Sequence, residues 1–145
     1  MTIDVTSPLA LARFVREQLR GVVATVSSDG HPEAALVELA ALDDGTLILD
    51  SHESFRKVAN IRAGSRVAVV VGLNEQITVQ VEGTATIADA HDARQRLAGA
   101  YLEQFPDAKV MREEMVVIAI RPDWVRVYDA SSERATVVEA KWAAE

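Results

Sequence analysis

From Ile77 to Glu82 apolar and polar side chains alternate without a break, Ile77, Val79 and Val81 against Thr78, Gln80 and Glu82. A period of two belongs to a β-strand with one buried face, not to a helix. Gly83 interrupts the pattern and predicts a bulge or a close approach of backbone. The strand is expected over residues 76–88, after a loop at Leu73-Asn74-Glu75. Other β-rich runs cover residues 21–28, Glu33 to Leu42, Thr46 to Ser51, Arg66 to Gly72, Met115 to Ile120 and Trp124 to Asp129. Asp29-Gly30, Asp43-Asp44-Gly45 and Pro122-Asp123 read as turns between them. The first three runs therefore predict an antiparallel meander. Val67 to Val71 is continuously apolar, which predicts a strand covered on both faces. Seven or so strands with short turns point to a closed or nearly closed antiparallel barrel.

Three stretches follow the helical period instead. Ser7-Pro8 is an N-cap followed by proline at the first helical position; Leu11, Ala12, Val15 and Leu19 share one face, and Gly21 is expected to end the helix. A short helix is expected from Ser54 to Ala63, stopped by Gly64. A longer one runs from Asp89 to Phe105, with Ala93, Leu97, Ala100, Tyr101 and Gln104 on one face and Pro106-Asp107 at its end. Ser131 to Glu145 is mixed and charged, and helix, extended arm and frayed tail all fit it. The 145 residues are enough for one domain.

Several functions are disfavoured. The net charge of −7 argues against a nucleic-acid surface, which needs a basic stripe. With no cysteine there is no disulfide, thiolate site or cysteine nucleophile. His31, His52 and His91 lack metal-ligand spacing, so no metal is expected. No apolar run reaches membrane-span length and no signal-peptide pattern is seen, so a cytoplasmic protein is expected. No Gly-x-Gly-x-x-Gly follows a strand, and no Gly-Lys-Ser/Thr motif occurs.

One local cluster looks built for an anion. Ser51-His52-Glu53-Ser54-Phe55-Arg56-Lys57 lies where a strand hands over to a helix. The first helical turn has free N–H groups and a partial positive charge. With Ser51, Ser54, Arg56 and Lys57 added, it makes a seat for a phosphate. The same residues also fit an ordinary helix, with Ser54 as its N-cap and two solvated cations. His52 reads as an exposed loop histidine and Glu82 as a surface carboxylate. Trp124, Arg126 and Tyr128 share one face of the last strand. They suit either a substrate site, with Arg126 pairing an anion and Tyr128 stacking or donating a proton, or a subunit interface.

In order and spacing these pieces resemble the pyridoxamine 5′-phosphate oxidase-like family of flavin-binding split β-barrels. The resemblance runs from about Arg13 to Asp129. Val23-Ala24-Thr25-Val26 with Asp29-Gly30-His31-Pro32 resembles the opening hairpin. Ser51 to Lys57 resembles the phosphate segment, and Asn60-Ile61 with Ser65 to Val70 the helix end and next strand. Val79-x-Val81-x-Gly83-x-Ala85 resembles the glycine-bearing strand, and Arg126-Val127-Tyr128-Asp129 the closing strand. The fold implied is mainly β with helices (α+β): an antiparallel, Greek-key-like split barrel. The cofactor implied is FMN, with a deazaflavin coenzyme as the alternative. Arg56 and Lys57 match the phosphate-binding pair and Ser51 the hydroxyl beside it. Val37, Glu38 and Leu39 match the strand along the isoalloxazine edge, with Leu49 and Asp50 on the neighbouring strand. Family members are homodimers with cofactor sites between subunits.

The chain departs from the pyridoxamine phosphate oxidases at three matched positions. Ala35 stands where they carry a phosphate-gripping arginine, Thr78 where they carry a glutamine beside the flavin, and Arg126-x-Tyr128 where they carry Arg-x-His. Their longer C-terminal extension is also missing. The expectation is an FMN-dependent oxidoreductase acting on another small molecule. The alternatives are a deazaflavin-dependent reductase, a non-catalytic dimer binding flavin or haem, and a scaffold whose site has decayed.

Overall fold

The computed structural model describes residues 3–72 and 76–143, so the Leu73-Asn74-Glu75 loop lies outside the described residues. In chain order the elements are α1 (Pro8–Gln18), β1 (Arg20–Val26), β2 (Pro32–Glu38), β3 (Ala40–Ala41), β4 (Leu47–His52), α2 (Arg56–Ala63), β5 (Arg66–Val71), β6 (Ile77–Ile87), α3 (His91–Gln104), β7 (Met115–Asp129) and β8 (Thr136–Lys141). The strands form one antiparallel sheet in the order β2-β1-β5-β6-β7-β4-β3, with β8 added along β7. Its two ends, β2 and β3, are separated in sequence by Leu39 alone. A sheet whose ends are joined by a single residue has to curl round on itself, which makes the split barrel.

Alternation places the core. Val23 and Thr25 of β1, Val67, Val69 and Val71 of β5, Val79, Val81 and Ala85 of β6, and Val125 and Val127 of β7 are buried together with Leu47 and Leu49 of β4. Helix α1 adds Leu11, Phe14 and Val15 to this core. A second cluster lies on the other side of β4 and β7, where Leu97, Ala98 and Tyr101 of α3 cover Ile48 and Val117. The rest of the outer face carries no helix. Its cross-strand rows run Leu36–Val22–Val70–Gln80–Arg126–Glu139 and Thr78–Tyr128–Val137.

Local chemistry moves several expected boundaries. Ser7 caps α1 as expected, its hydroxyl accepting from the Ala10 amide at 3.1 Å. However, the helix ends at Leu19, which takes the left-handed conformation (φ 69°), and Gly21 is already inside β1. A side chain at Gly21 would meet Leu39 and the Val70 carbonyl, each at 2.7 Å, so the residue serves packing rather than a helix stop. The second run divides at Leu39: β2 pairs with β1, and β3 pairs with β4. The expected meander is therefore broken, and β1 takes β5 as its other neighbour. Only one face of β5 is fully buried, because Ala68 and Val70 belong to the uncovered outer face.

The expected turn at Pro122-Asp123 is absent, and β7 runs straight through it. Pro122 pairs with Gly83 at the register shift between Glu82 and Gly83. A strand can pass a residue without an N–H at a bulge, where the ladder is already interrupted. Gly83 is required there, since a Cβ would run into the Arg121 carbonyl. The tail forms β8, and Trp142 just beyond it donates its indole N–H to the Val5 carbonyl at 2.8 Å.

Candidate functional site

Helix α2 begins at Arg56, with Phe55 as its N-cap and no side-chain cap. Ser54 is not the cap. Its hydroxyl and its backbone N–H both lie on His52 Nδ1, at 2.8 and 3.1 Å. His52 is thus the half-buried end of β4 rather than a loop residue, and it organises the turn into α2.

The turn into α2 and the turn-proximal half of the β1–β2 hairpin enclose a cavity of about 430 Å³ lined by Val23, Thr25, Glu33, Ala34, Ala35, Ser54, Phe55, Arg56 and Lys57. The cation pair is therefore in one cavity. Arg56 is largely exposed and pairs with Glu33 at 3.2 Å. Lys57 is half-buried, with its ammonium 5.0 Å from the centre of the Phe55 ring. No ion pair reaches Lys57 among the described residues. Burial lowers its pKa from the ordinary 10.5, and the charge of Asp50 only partly offsets this.

Three side chains that the sequence reading missed, Asn60, Thr25 and Glu33, complete this end. Asn60 lies one helical turn after Arg56, on the face turned to the barrel, and is 6% exposed. Its amide nitrogen donates to Thr25 Oγ1 at 3.0 Å and to Glu33 Oε1 at 2.9 Å. Thr25 and Glu33 are direct cross-strand partners in β1–β2. The symmetric hairpin around Asp29-Gly30 and the i, i+4 spacing of Arg56 and Asn60 were the signals that could have found them.

The other expected site residues are distributed differently. Ser51 is 3% exposed and its hydroxyl donates to the His52 carbonyl, so it does not line the cavity. Leu39 and Leu49 are wholly buried, and Val37 is half-buried on the inner face opposite Gly21. Glu38 and Asp50 line a second cavity of about 440 Å³ with Tyr101, Gln104 and Lys109. There the Tyr101 hydroxyl donates to Asp50 Oδ1 at 3.2 Å. Burial first, and then the charges of Asp50 and Glu38, push the phenol well above its usual pKa.

Thr78, Arg126 and Tyr128 sit together in neither cavity. With Gln80 they line a shallow hollow of about 250 Å³ on the outer face. The Arg126 Nε is buried there without a hydrogen-bond partner among the described residues. The largest of these cavities, about 580 Å³ between α3, β6 and β7, is lined by none of the expected site residues. No group of His, Cys, Asp and Glu among the described residues could hold a metal ion. No helix among them is long and apolar enough to cross a membrane.

Many solved structures share this fold, among them the following three. A heme-binding protein from Mycobacterium smegmatis superposes with a TM-score of 0.73 at 20% identity, over 91% of this chain and 57% of that one. The General Stress Protein 26 of Bacillus anthracis str. Sterne gives 0.62 at 24% identity, over 81% and 89%. A pyridoxamine 5′-phosphate oxidase-related, FMN-binding protein from Nostoc punctiforme PCC 73102 gives 0.67 at 11% identity, over 92% and 93%. No curated protein matches the sequence significantly. The family model for pyridoxamine 5′-phosphate oxidase matches residues 8–129, from the start of α1 to the end of β7, and the chain belongs to that family.

Proposed function

We propose that this protein is a cytoplasmic, homodimeric FMN-binding oxidoreductase acting on a small molecule other than pyridoxamine phosphate. The observation that carries the reading is Lys57, a half-buried ammonium with no ion pair among the described residues, beside Arg56 in the cavity at the hairpin end. Burying an ammonium costs free energy that an anion in the cavity recovers. A flavin phosphate fits that requirement, and the family membership together with an FMN-binding structural neighbour supports that cofactor class.

Arg56 and Lys57 would hold the phosphate. The matched stretches Val37 to Leu39 and Leu49 to Asp50 would serve the ring through their backbone, since Leu39 and Leu49 have no exposed side chain. Ser51 would support β4 from inside rather than touch the phosphate. When bound, FMN supplies hydride or electron transfer. Arg126 would attract an anionic substrate group, and Tyr128 would stack on it or give a proton. Thr78 offers a hydroxyl in the same hollow.

The outer face supports the dimer. Leu36 is 58% exposed, Val137 49% and Tyr128 43%, all on the sheet surface that no helix covers. An apolar and aromatic patch with an arginine at its centre suits a second copy of the chain. Haem fits the cavities less well, because no histidine lines any of the three described for the site residues.

The test is the visible absorption spectrum after mixing with FMN and gel filtration. A retained flavin spectrum establishes the cofactor and opens a screen for substrates that bleach it. Loss of all flavin on the column, together with retention of a deazaflavin coenzyme, moves the protein to the deazaflavin-dependent reductases. Retention of neither refutes the oxidoreductase assignment.

A further inference from the structure

The cavity that holds Arg56 and Lys57 also holds a carboxylate. Glu33 accepts from Asn60 Nδ2 at 2.9 Å and from the Arg56 guanidinium at 3.2 Å. This is a placed group, not a stray surface pair. Asn60 is buried and fixed by its second bond, to Thr25, so it aims the Glu33 carboxylate at Arg56. We propose that Glu33 is a built-in competitor for the phosphate seat: it pairs with Arg56, and a phosphate must take Arg56 from it.

The inference rests on the phosphate-seat reading above and adds a charge balance to it. Arg56 and Lys57 bring two positive charges, and Glu33 removes one. A phosphate monoester carries about 1.5 to 2 negative charges at neutral pH. Two anions sharing one guanidinium repel each other, and solvent at the rim screens this only in part. Ala35, the next inward-facing residue along β2, contributes no compensating cation. The hydrogen bond from Asn60 and the proximity of Arg56 hold the Glu33 pKa below its usual range, so the competitor is charged at neutral pH. The seat is therefore tuned down for dianionic phosphate while leaving an uncharged ligand unaffected.

Glu33→Gln tests this, because the amide oxygen keeps the acceptor for Asn60 and only the charge is lost. Binding of inorganic phosphate is followed through the backbone amide NMR signals of Arg56 and Lys57. Binding of FMN and riboflavin is followed by flavin fluorescence. The expected result is about tenfold tighter phosphate and FMN binding in the variant, with riboflavin unchanged. Equal or weaker phosphate binding in Glu33→Gln overturns the proposal, since Glu33 would then merely position Arg56. Phosphate binding by neither protein also overturns it, as does equal tightening of FMN and riboflavin. If phosphate tightens while no flavin binds either protein, the competitor stands and the FMN reading fails. Should Glu33→Gln not fold, Glu33→Ala gives the same readout, because it also removes the charge from the cavity.

Discussion

The Tyr101 hydroxyl donates to the Asp50 carboxylate at 3.2 Å, and that bond fastens α3 to β4 within the same strand that leads to the cation pair. Tyr101 is 2% exposed, so the phenol has little access to water as an alternative partner. Tyr101→Phe keeps the ring packed on Phe105 and removes only the bond. It should lower stability by about 1 kcal/mol, seen as a lower urea midpoint with an unchanged slope. A loss several times larger would mean that the hydroxyl holds the α3–β4 contact as a whole.

The cation pair makes a prediction about affinity and another about pH. Arg56→Ala with Lys57→Ala should weaken FMN binding by about 2 kcal/mol, or roughly thirtyfold, since Arg56 acts from an exposed position and Lys57 from a half-buried one. Unchanged flavin titration would rule the pair out. In the parent protein, affinity should fall as pH rises through the lowered Lys57 pKa, on the acidic side of the ordinary 10.5. The same rise in pH removes a penalty from the folded state, because there the unfolded chain binds the proton more strongly. Lys57→Arg keeps its charge and should lose the alkaline fall in FMN affinity when the titration is repeated.

Association should depend on the outer face. Leu36 is exposed at one edge of the row that leads to Arg126. Leu36→Asp places a charge there without touching the core, and should shift the protein from dimer to monomer in light scattering while leaving the far-UV spectrum unchanged. A parent protein that is monomeric at all concentrations would remove the homodimer from the proposal.

Gly83→Ala addresses the fold alone. The added methyl group would meet the Arg121 backbone, which cannot swing away as a flexible side chain could. A destabilisation of about 2–3 kcal/mol is expected in thermal or urea unfolding. A near-neutral effect would show that the bulge absorbs the methyl by opening further.

Where a local pattern decides an element, the sequence was enough. The alternation of Ile77 to Val81 placed β6, the glycine at 83 placed its bulge, and Ser7-Pro8 placed the start of α1. Where a distant partner decides, it was not. Pro122 looks like a turn until Gly83 is opposite it, and Thr136 to Lys141 has no reason to be a strand until β7 offers an edge. The same divide runs through the site. Arg56 and Lys57 stand out as adjacent cations, whereas Glu33, Thr25 and Asn60 converge only when the hairpin folds against α2. Ser51 shows the converse: its place in the motif is right for a phosphate contact, yet strand parity turns its hydroxyl inward.

Strand β7 pairs with β6 along most of its length, with β4 over its first half and with β8 over its second. Arg126 and Tyr128 therefore alternate with the buried Val125 and Val127 on one hydrogen-bonded backbone. Neither can shift far without dragging the core, so whatever docks on that face meets a surface already in its final shape and loses little freedom in ordering it. The cations sit elsewhere, at the start of an eight-residue helix that Val58, Asn60 and Ile61 anchor to the barrel. The cation pair and the outer platform are thus both set in place by the fold, each by side chains that alternate with or stand beside buried ones.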